Sequence, residues 1–237
     1  MTDRIKTAPE QLALRFPLRL GASFANFVQD EAQAQVAQLQ DFLRQPQESF
    51  LYLWGAPECG LTHLLHAACH AVEEAGDQAI YMPLAALGSD LGAALEGLEQ
   101  YSLVCLDELE LVAGRAEAEL ALFHCFNRIR DQQSKLIIAS HQPVRGLGLT
   151  LPDLESRLQW GMTLHLPALS DTVKGRILQQ RALERGIVLP EDVVAYIMKR
   201  SERSLSQLLE ILEQLDRASL SAQRKLTVPF VKQSLGW

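Results

Sequence analysis

Apolar residues along this chain follow two rhythms. Phe50-Leu-Tyr-Leu-Trp54, Ala79-Ile-Tyr-Met82, Leu103-Val-Cys-Leu106 and Leu136-Ile-Ile-Ala139 are continuous short runs. A run with no polar alternation reads as a strand covered on both faces, as in a parallel sheet between helical layers. Between the runs, apolar positions fall at helical spacing. Helices are predicted over about 30–44, ended by Pro46, over about 61–75 through Leu64, Leu65, Ala68 and Val72, and over 116–130. Gly76 is placed to cap the second. A weaker, glycine-interrupted helix covers roughly 84–101. Alternating strands and helices predict an α/β fold, a parallel sheet in three layers.

From Pro167 onward the strands stop. Ser170 caps a helix to about Arg185, closed by Gly186, and Pro190-Glu191-Asp192 opens another through Arg200. A long amphipathic helix over about 204–224 carries Leu205, Leu208, Leu209, Leu212, Leu215 and Leu220. Its stripe is not sustained over enough heptads for a coiled coil, so it reads as core. Thr227 and Pro229 start a last short helix. The predicted organisation is a tail over 1–20, an α/β domain over 21–166 and an all-helical lid over 167–237. The tail starts polar and without period, then alternates in Gln11-Leu12-Ala13-Leu14-Arg15-Phe16. That segment puts Leu12, Leu14 and Phe16 on one side. It suits an edge strand on its own domain or a peptide docking in a partner's groove, and physics alone favours the first.

The candidate chemistry sits where the first strand meets its helix. Gly55-Ala-Pro57-Glu-Cys59-Gly60-Leu61-Thr62-His63 has glycines at the two ends of a phosphate-loop spacing. Glycine lets the backbone turn tightly and aim N–H groups at phosphate oxygens, and the next helix points its positive end there. A nucleotide-hydrolysing loop has Lys before the Ser/Thr, to hold the β- and γ-phosphates. Here that position is Leu61. A diphosphate carries less charge and suffers less from the loss, so the loop predicts a site that keeps ADP and turns over ATP poorly or not at all. Without the lysine, the pattern also admits a chance glycine-rich turn.

Asp107-Glu108 ends a buried strand, where α/β sheets bind ligands. In phosphate-loop proteins such a pair holds the metal and orients water, although acids also simply start helices. Ser140-His141 ends the next strand and suits phosphate sensing or the start of a loop. His63, His66 and His70 share one side of a helix, with no carboxylate or Cys nearby to complete a metal set. Cys59, Cys69, Cys105 and Cys125 form no Cys-x-x-Cys pair and read as reduced structural thiols.

Composition changes little. The chain has 237 residues, 48% hydrophobic and 22% charged, ordinary for a globular protein with a proper core. A formal net charge of −7 argues against a dedicated DNA binder. The apolar runs are too short to span a bilayer and no signal-peptide core is visible, so a cytoplasmic location without a membrane partner is expected.

Phosphate loop, Asp-Glu strand, Ser140 strand, a late Arg and a helical lid together resemble an AAA+ domain. Phe123-His-Cys-Phe-Asn127 and Leu151-Pro-Asp-Leu-Glu-Ser-Arg157-Leu158 are similar to the replication initiator DnaA family. Leu215-Asp-Arg-Ala-Ser219 and Gln223-Arg-Lys-Leu-Thr-Val-Pro-Phe-Val-Lys232 resemble the ending of its regulatory branch, the Hda group. The likeness covers nearly the whole chain, and the initiators' C-terminal DNA-binding helices are expected to be absent. It implies a negative regulator of DNA replication initiation. Gln11, Leu12, Leu14 and Phe16 would bind the DNA-loaded sliding clamp, which reverses the preference for self-packing. Gly55, Pro57, Cys59, Gly60, Leu61, Thr62, His63, Asp107, Glu108 and Ser140 would surround ADP, with Thr62 and Asp107 as ligands of any magnesium. Arg157 would be an arginine finger acting in trans on ATP held by DnaA; without the resemblance it reads as a salt-bridge partner. Phe123 and Asn127 would face DnaA, or serve as core and cap. A homodimer is left open. Besides Leu61, a second departure is Ser206, where AAA+ lids carry a nucleotide-sensing Arg; Arg203 lies nearby at a different helical angle. Both departures weigh against the alternative, an autonomous AAA+ ATPase that loads or remodels a protein on DNA. A third reading, a plain DNA-binding relative of the initiators, conflicts with the acidic charge.

Overall fold

The continuous apolar runs become the centre of one parallel sheet. A computed structural model describes residues 16–19, 21–222 and 224–237. Helix α1 (Gln33–Arg44) precedes strand β1 (Phe50–Gly55), followed by α2 (Leu61–Glu74), β2 (Ala79–Pro83), a short α3 (Leu91–Ala94) and β3 (Leu103–Asp107). Then come α4 (Ala116–Asp131), β4 (Lys135–Ser140), α5 (Pro152–Trp160) and β5 (Met162–Leu166). Helices α6 (Asp171–Glu184), α7 (Glu191–Arg200), α8 (Leu205–Ala222) and α9 (Val228–Leu235) form the lid.

The strand order is β2-β3-β4-β1-β5, all parallel. The register pairs Trp54 with Ser140, Gly55 with Leu166, and Pro83 with Asp107. The carboxyl ends of the strands are therefore level, and the loop after Gly55 lies beside the ends of β3 and β4.

Side-chain alternation explains the uninterrupted apolarity. Leu51 and Leu53 of β1, with Leu103 and Cys105 of β3, pack on α1 and α2 through Leu39, Phe42, Leu64 and Leu65. Phe50 and Tyr52, with Val104 and Leu106, pack on the opposite layer through Leu122, Phe126, Leu154 and Leu158. Each buried Leu contributes about 1.5–3 kcal/mol by leaving water. The lid has its own core, in which Leu208, Leu212 and Leu215 of the leucine stripe join Leu178, Val193, Ile197 and Val231.

Three stretches depart from the sequence reading. The expected helix over 84–101 is a chain of short turns around α3, because Gly88 and Gly97 take positive-φ backbone conformations that break it. Strand β5 carries no continuous apolar run. As an edge strand it buries only Leu164 and Leu166, alternating with exposed Thr163 and His165, which hides it among polar residues. Arg157 lies within a true helix, α5, with Pro152 in its first turn.

The approach to α5 depends on a carboxylate with no apolar signature. Glu119, fully buried on α4, accepts hydrogen bonds from the Gly114 N–H at 2.6 Å, the Thr150 N–H at 2.9 Å, the Thr150 hydroxyl at 2.9 Å and the Leu151 N–H at 2.7 Å. Burial opposes its ionisation, but these donors outweigh burial and hold its carboxyl below the usual carboxylate range. Its contribution to stability is thus complete above the pKa of the unfolded chain and falls away as acid protonates the folded carboxyl. Glu119→Gln is expected to lower unfolding free energy by about 2–3 kcal/mol at pH 7, with a smaller deficit relative to wild type below pH about 4, in urea titrations at both pH values.

Candidate functional site

The turn between β1 and α2 is built by close approaches. A Cβ on Gly55 would lie 2.7 Å from the Cys59 sulfur and 2.7 Å from the Leu166 carbonyl oxygen. Gly60 has φ +102° and the Phe27 ring against it, so that a Cβ would stand 2.6 Å from the ring. The loop closes with the Cys59 N–H donating to the Ala56 carbonyl at 3.2 Å, and α2 starts at Leu61. First-turn N–H groups of α2, without helical partners, are left for an anion.

Thr62 and Asp107 meet at the carboxyl end of the sheet. The Thr62 hydroxyl donates to Asp107 Oδ2 at 2.7 Å, the Tyr81 hydroxyl donates to the same oxygen at 3.0 Å, and the Glu108 N–H donates to Oδ1 at 3.0 Å. Asp107 is only 3% exposed, so these donors stand in for water around a buried charge. Burial, then the neighbouring Asp107 charge, pushes the Tyr81 phenol up. Glu108 follows with φ 63°, half-buried, its carboxyl raised by burial and by the charges of Asp107 and Glu110. A hydroxyl and a carboxylate in contact are the oxygen donors that a hard divalent cation takes, so Thr62 and Asp107 fit magnesium.

A cavity of about 280 Å³ opens between this loop and the lid. Cys59, Gly60, Leu61, Thr62 and His63 line its floor, Phe27 and Val28 one wall, His141 another, and Ile177, Gln180, Leu205, Ser206 and Leu209 of the lid its roof. The lid is tied down around it. Gln29 donates to the Pro167 carbonyl at 2.7 Å, Arg176 pairs with Asp30, and Gln180 donates to the Asn26 carbonyl at 3.3 Å. The Glu58 carboxylate accepts from the Leu205 N–H at 2.7 Å and from the Ser206 N–H and hydroxyl at 3.0 and 2.8 Å.

The predicted site residues divide accordingly. Cys59, Gly60, Leu61, Thr62 and His63 are together at the cavity, with Gly55, Asp107 and Glu108 beside them. Leu61 is 3% exposed, packed into the α1/α2 core with Leu64 and Leu65, so an apolar anchor replaces the missing amine. His63 contacts the Ser23 carbonyl at 2.9 Å and the Phe27 ring, and burial lowers its pKa. Pro57 is exposed at the loop's outer edge. Ser140 is buried and donates to Glu110 at 2.7 Å; it is His141, one residue on, that reaches the cavity, 3.2 Å from the Gly55 carbonyl. Arg203 is bound to Asp171 at 2.8 Å. Gln11, Leu12 and Leu14 lie outside the described residues, and Phe16 is half-buried against both faces of the α/β core.

Arg157 is elsewhere. It is half-exposed, without a hydrogen bond or ion pair to any described residue, in an open groove with Phe123, Asp153, Ser156 and Trp160. Trp160 is 68% exposed. Asn127, one turn beyond Phe123 on α4, keeps a buried Oδ1 without a partner among the described residues. Sequence reading missed Glu58, Phe27, Tyr81 and Glu110. Glu58 stood in plain view inside the loop, but its partners come 147 and 148 residues later.

Residues 19–165 match the family model of the bacterial DnaA ATPase domain. The chain belongs to the bacterial DnaA family of AAA+ proteins. Residues 171–235 match the model of the Hda lid domain, so this family member carries the lid of the Hda group. Domain III of the Thermotoga maritima replication initiation protein DnaA is similar in fold, with TM-score 0.81 and 19% identity over 93% of this chain and 98% of that one. AMPPCP-bound DnaA from Aquifex aeolicus gives 0.69 and 18% over 86% and 68%. A point variant of Thermotoga maritima RuvB gives 0.69 and 18% over 91% and 71%.

In this DnaA-family chain a buried histidine stands behind the loop. His66 accepts from the Arg19 N–H at 3.4 Å and packs on Tyr81 at 4.1 Å between ring centroids. Burial, then the charges of His70 and Arg19, lowers its pKa to about 4. The unfolded chain therefore takes up a proton near pH 6.5 that the folded one refuses, so stability is full above pH 6.5 and declines toward pH 4. Replacing His66 by Gln is expected to flatten that decline by roughly 1–3 kcal/mol, measured by chemical denaturation at pH about 7.5 and about 4.5.

Proposed function

We propose that this chain is a negative regulator of DNA replication initiation. It meets DnaA carrying ATP and supplies Arg157 to that nucleotide in trans, so that DnaA hydrolyses its own ATP. The observation that carries the reading is a half-exposed guanidinium with no partner among the described residues, on a helix whose start is pinned by a buried carboxylate. A finger of this kind stabilises the charge of the transferred phosphoryl group and is worth about 10³–10⁵ in rate. Phe123 and Trp160 beside it offer aromatic surface to the DnaA subunit. The DnaA-family core with an Hda-type lid supports the same direction.

Its own cavity is read as a nucleotide site that holds ADP, with Thr62 and Asp107 binding magnesium. Bound magnesium would neutralise phosphate charge. Gly60 and the α2 N-terminus would cradle the phosphates, and Phe27 and the lid would exclude water. Gln11, Leu12, Leu14 and Phe16 are read as the segment that docks on the sliding clamp, which brings this acidic regulator to DNA. Clamp docking must then compete with the contacts Phe16 makes on the core. No described helix is long and apolar enough to cross a membrane, and a partner on replicating DNA places the work in the cytoplasm.

The intact Thr62–Asp107 pair, followed by Glu108, favours a second reading, an autonomous AAA+ ATPase acting as a loader or remodeller. Leu61 and Ser206 weigh against it. Turnover by the purified chain alone, lost in Asp107→Asn, would establish it.

Arg157→Ala is expected to reduce stimulated hydrolysis of DnaA-bound ATP by about 10³-fold or more, with clamp pull-down unchanged. Stimulation that survives this change removes Arg157 from the role. Joint replacement of Leu12 and Leu14 by Ala is expected to abolish pull-down on DNA-loaded clamp, and retained binding would remove the segment from the interface.

A further inference from the structure

Glu58 is an unusual residue for the middle of a phosphate loop. Its φ of 65° lies in the left-handed region, which favours glycine. A side chain held there brings a carboxylate to the cavity wall. That carboxylate takes the Leu205 and Ser206 N–H groups and the Ser206 hydroxyl, at 2.7, 3.0 and 2.8 Å. The first turn of α8 is an 18-residue helix's anion-attracting end, and it closes over the same cavity. The chain thus fills with its own negative charge the lid position that offers backbone donors to the cavity beside the loop. Burial opposes ionisation of Glu58, but the Ser206 and Leu205 donors, with Lys174 behind them, outweigh it and hold the carboxyl low.

Consider what a bound nucleotide would meet. Its first two phosphates would lie on the loop's N–H groups and the α2 N-terminus. A third would extend beyond them, toward the site normally served by the loop lysine, and there finds Leu61. The carboxylates on that side are Glu58 in the loop, Asp107 at the end of β3 and Glu108 just after it. Arg181, the lid cation lining the cavity, is already bound to Glu184 at 2.6 Å. Arg19 also lines the cavity, on the side of His66 and His70, whose rings its backbone contacts. Each added phosphate brings negative charge toward a carboxylate that is fixed in place by three hydrogen bonds.

We infer that Glu58 sets the phosphate count of the ligand: it admits a nucleoside diphosphate and rejects a triphosphate, by occupying the lid's donors and repelling the third phosphate. The inference rests on the nucleotide reading of the cavity and adds its specificity-determining residue.

Isothermal titration of the full chain with ADP and with AMPPCP, both with magnesium, tests it. Wild type is expected to bind ADP at least about tenfold more tightly than AMPPCP. Glu58→Gln keeps the shape and removes the charge, and Glu58→Gly relieves the backbone and removes the side chain; thermal melting without nucleotide verifies that each is folded. In either folded variant the ADP preference is expected to shrink to within about threefold. Equal binding of the two nucleotides by wild type, or an undiminished ADP preference in both variants, overturns the inference alone. Binding of neither nucleotide by wild type overturns the nucleotide reading, and the inference with it.

Discussion

Parallel pairing of β1, β4 and β3 is the constraint on which the rest depends. It brings the first turn after β1 within 2.7 Å of the last residue of β3, so that Thr62 and Asp107, 45 residues apart, share a hydrogen bond. Both faces of these strands are buried, so a one-residue slip would turn each strand's whole pattern into the wrong layer. Burial on two sides therefore does more than stabilise the sheet. It aligns Gly55, Asp107 and Ser140 along one edge, and the cavity follows from that edge plus a lid.

Within the site, the carboxylates are paired with donors of the protein itself. Asp107 is satisfied by Thr62, Tyr81 and the Glu108 N–H, Glu110 by Ser140 and the His141 N–H, and Glu58 by the lid. Each of these carboxylates has found donors inside the protein. At the position where a hydrolytic loop aims its cation at the phosphates, an apolar residue is anchored in the core instead. Arg157, a guanidinium without a pair among the described residues, is on another face. Under the proposed role, these acceptors are satisfied at home while Arg157 keeps a strong donor for a neighbour's phosphate.

Much of this was legible from residue order. Continuous apolar runs mark β1 to β4 because central strands are covered twice, and the leucine stripe marks the lid core for the same reason in helical period. Gly55, Gly60 and Thr62 announced the loop. What stayed hidden shares one property: its partner is remote in sequence or polar in character. Strand β5 alternates with Thr163 and His165 as an edge must, and so blends into its surroundings. Glu58 looks like a loop filler until α8 arrives above it. Tyr81 reads as one more apolar residue of β2, although its hydroxyl serves Asp107 across the strands. Glycine had the opposite effect at 84–101, where Gly88 and Gly97 were visible but outweighed by helix formers around them.

A guanidinium that acts on another molecule's phosphate must be held still, because a finger misplaced by an ångström loses much of its worth. Arg157 has no ion pair among the described residues to fix it, so rigidity has to come from the backbone beneath. That is where Glu119 matters. It is buried under the entry to α5 and takes hydrogen bonds from Thr150 and Leu151, directly before the helix that carries Arg157. Leu154 and Leu158, on either side of Arg157, lock the same helix into the core. Rigidity and openness are thus divided between neighbours. The apolar residues and a hidden carboxylate hold the helix, and in the proposed role the arginine between them would keep its donors for an acceptor on another surface.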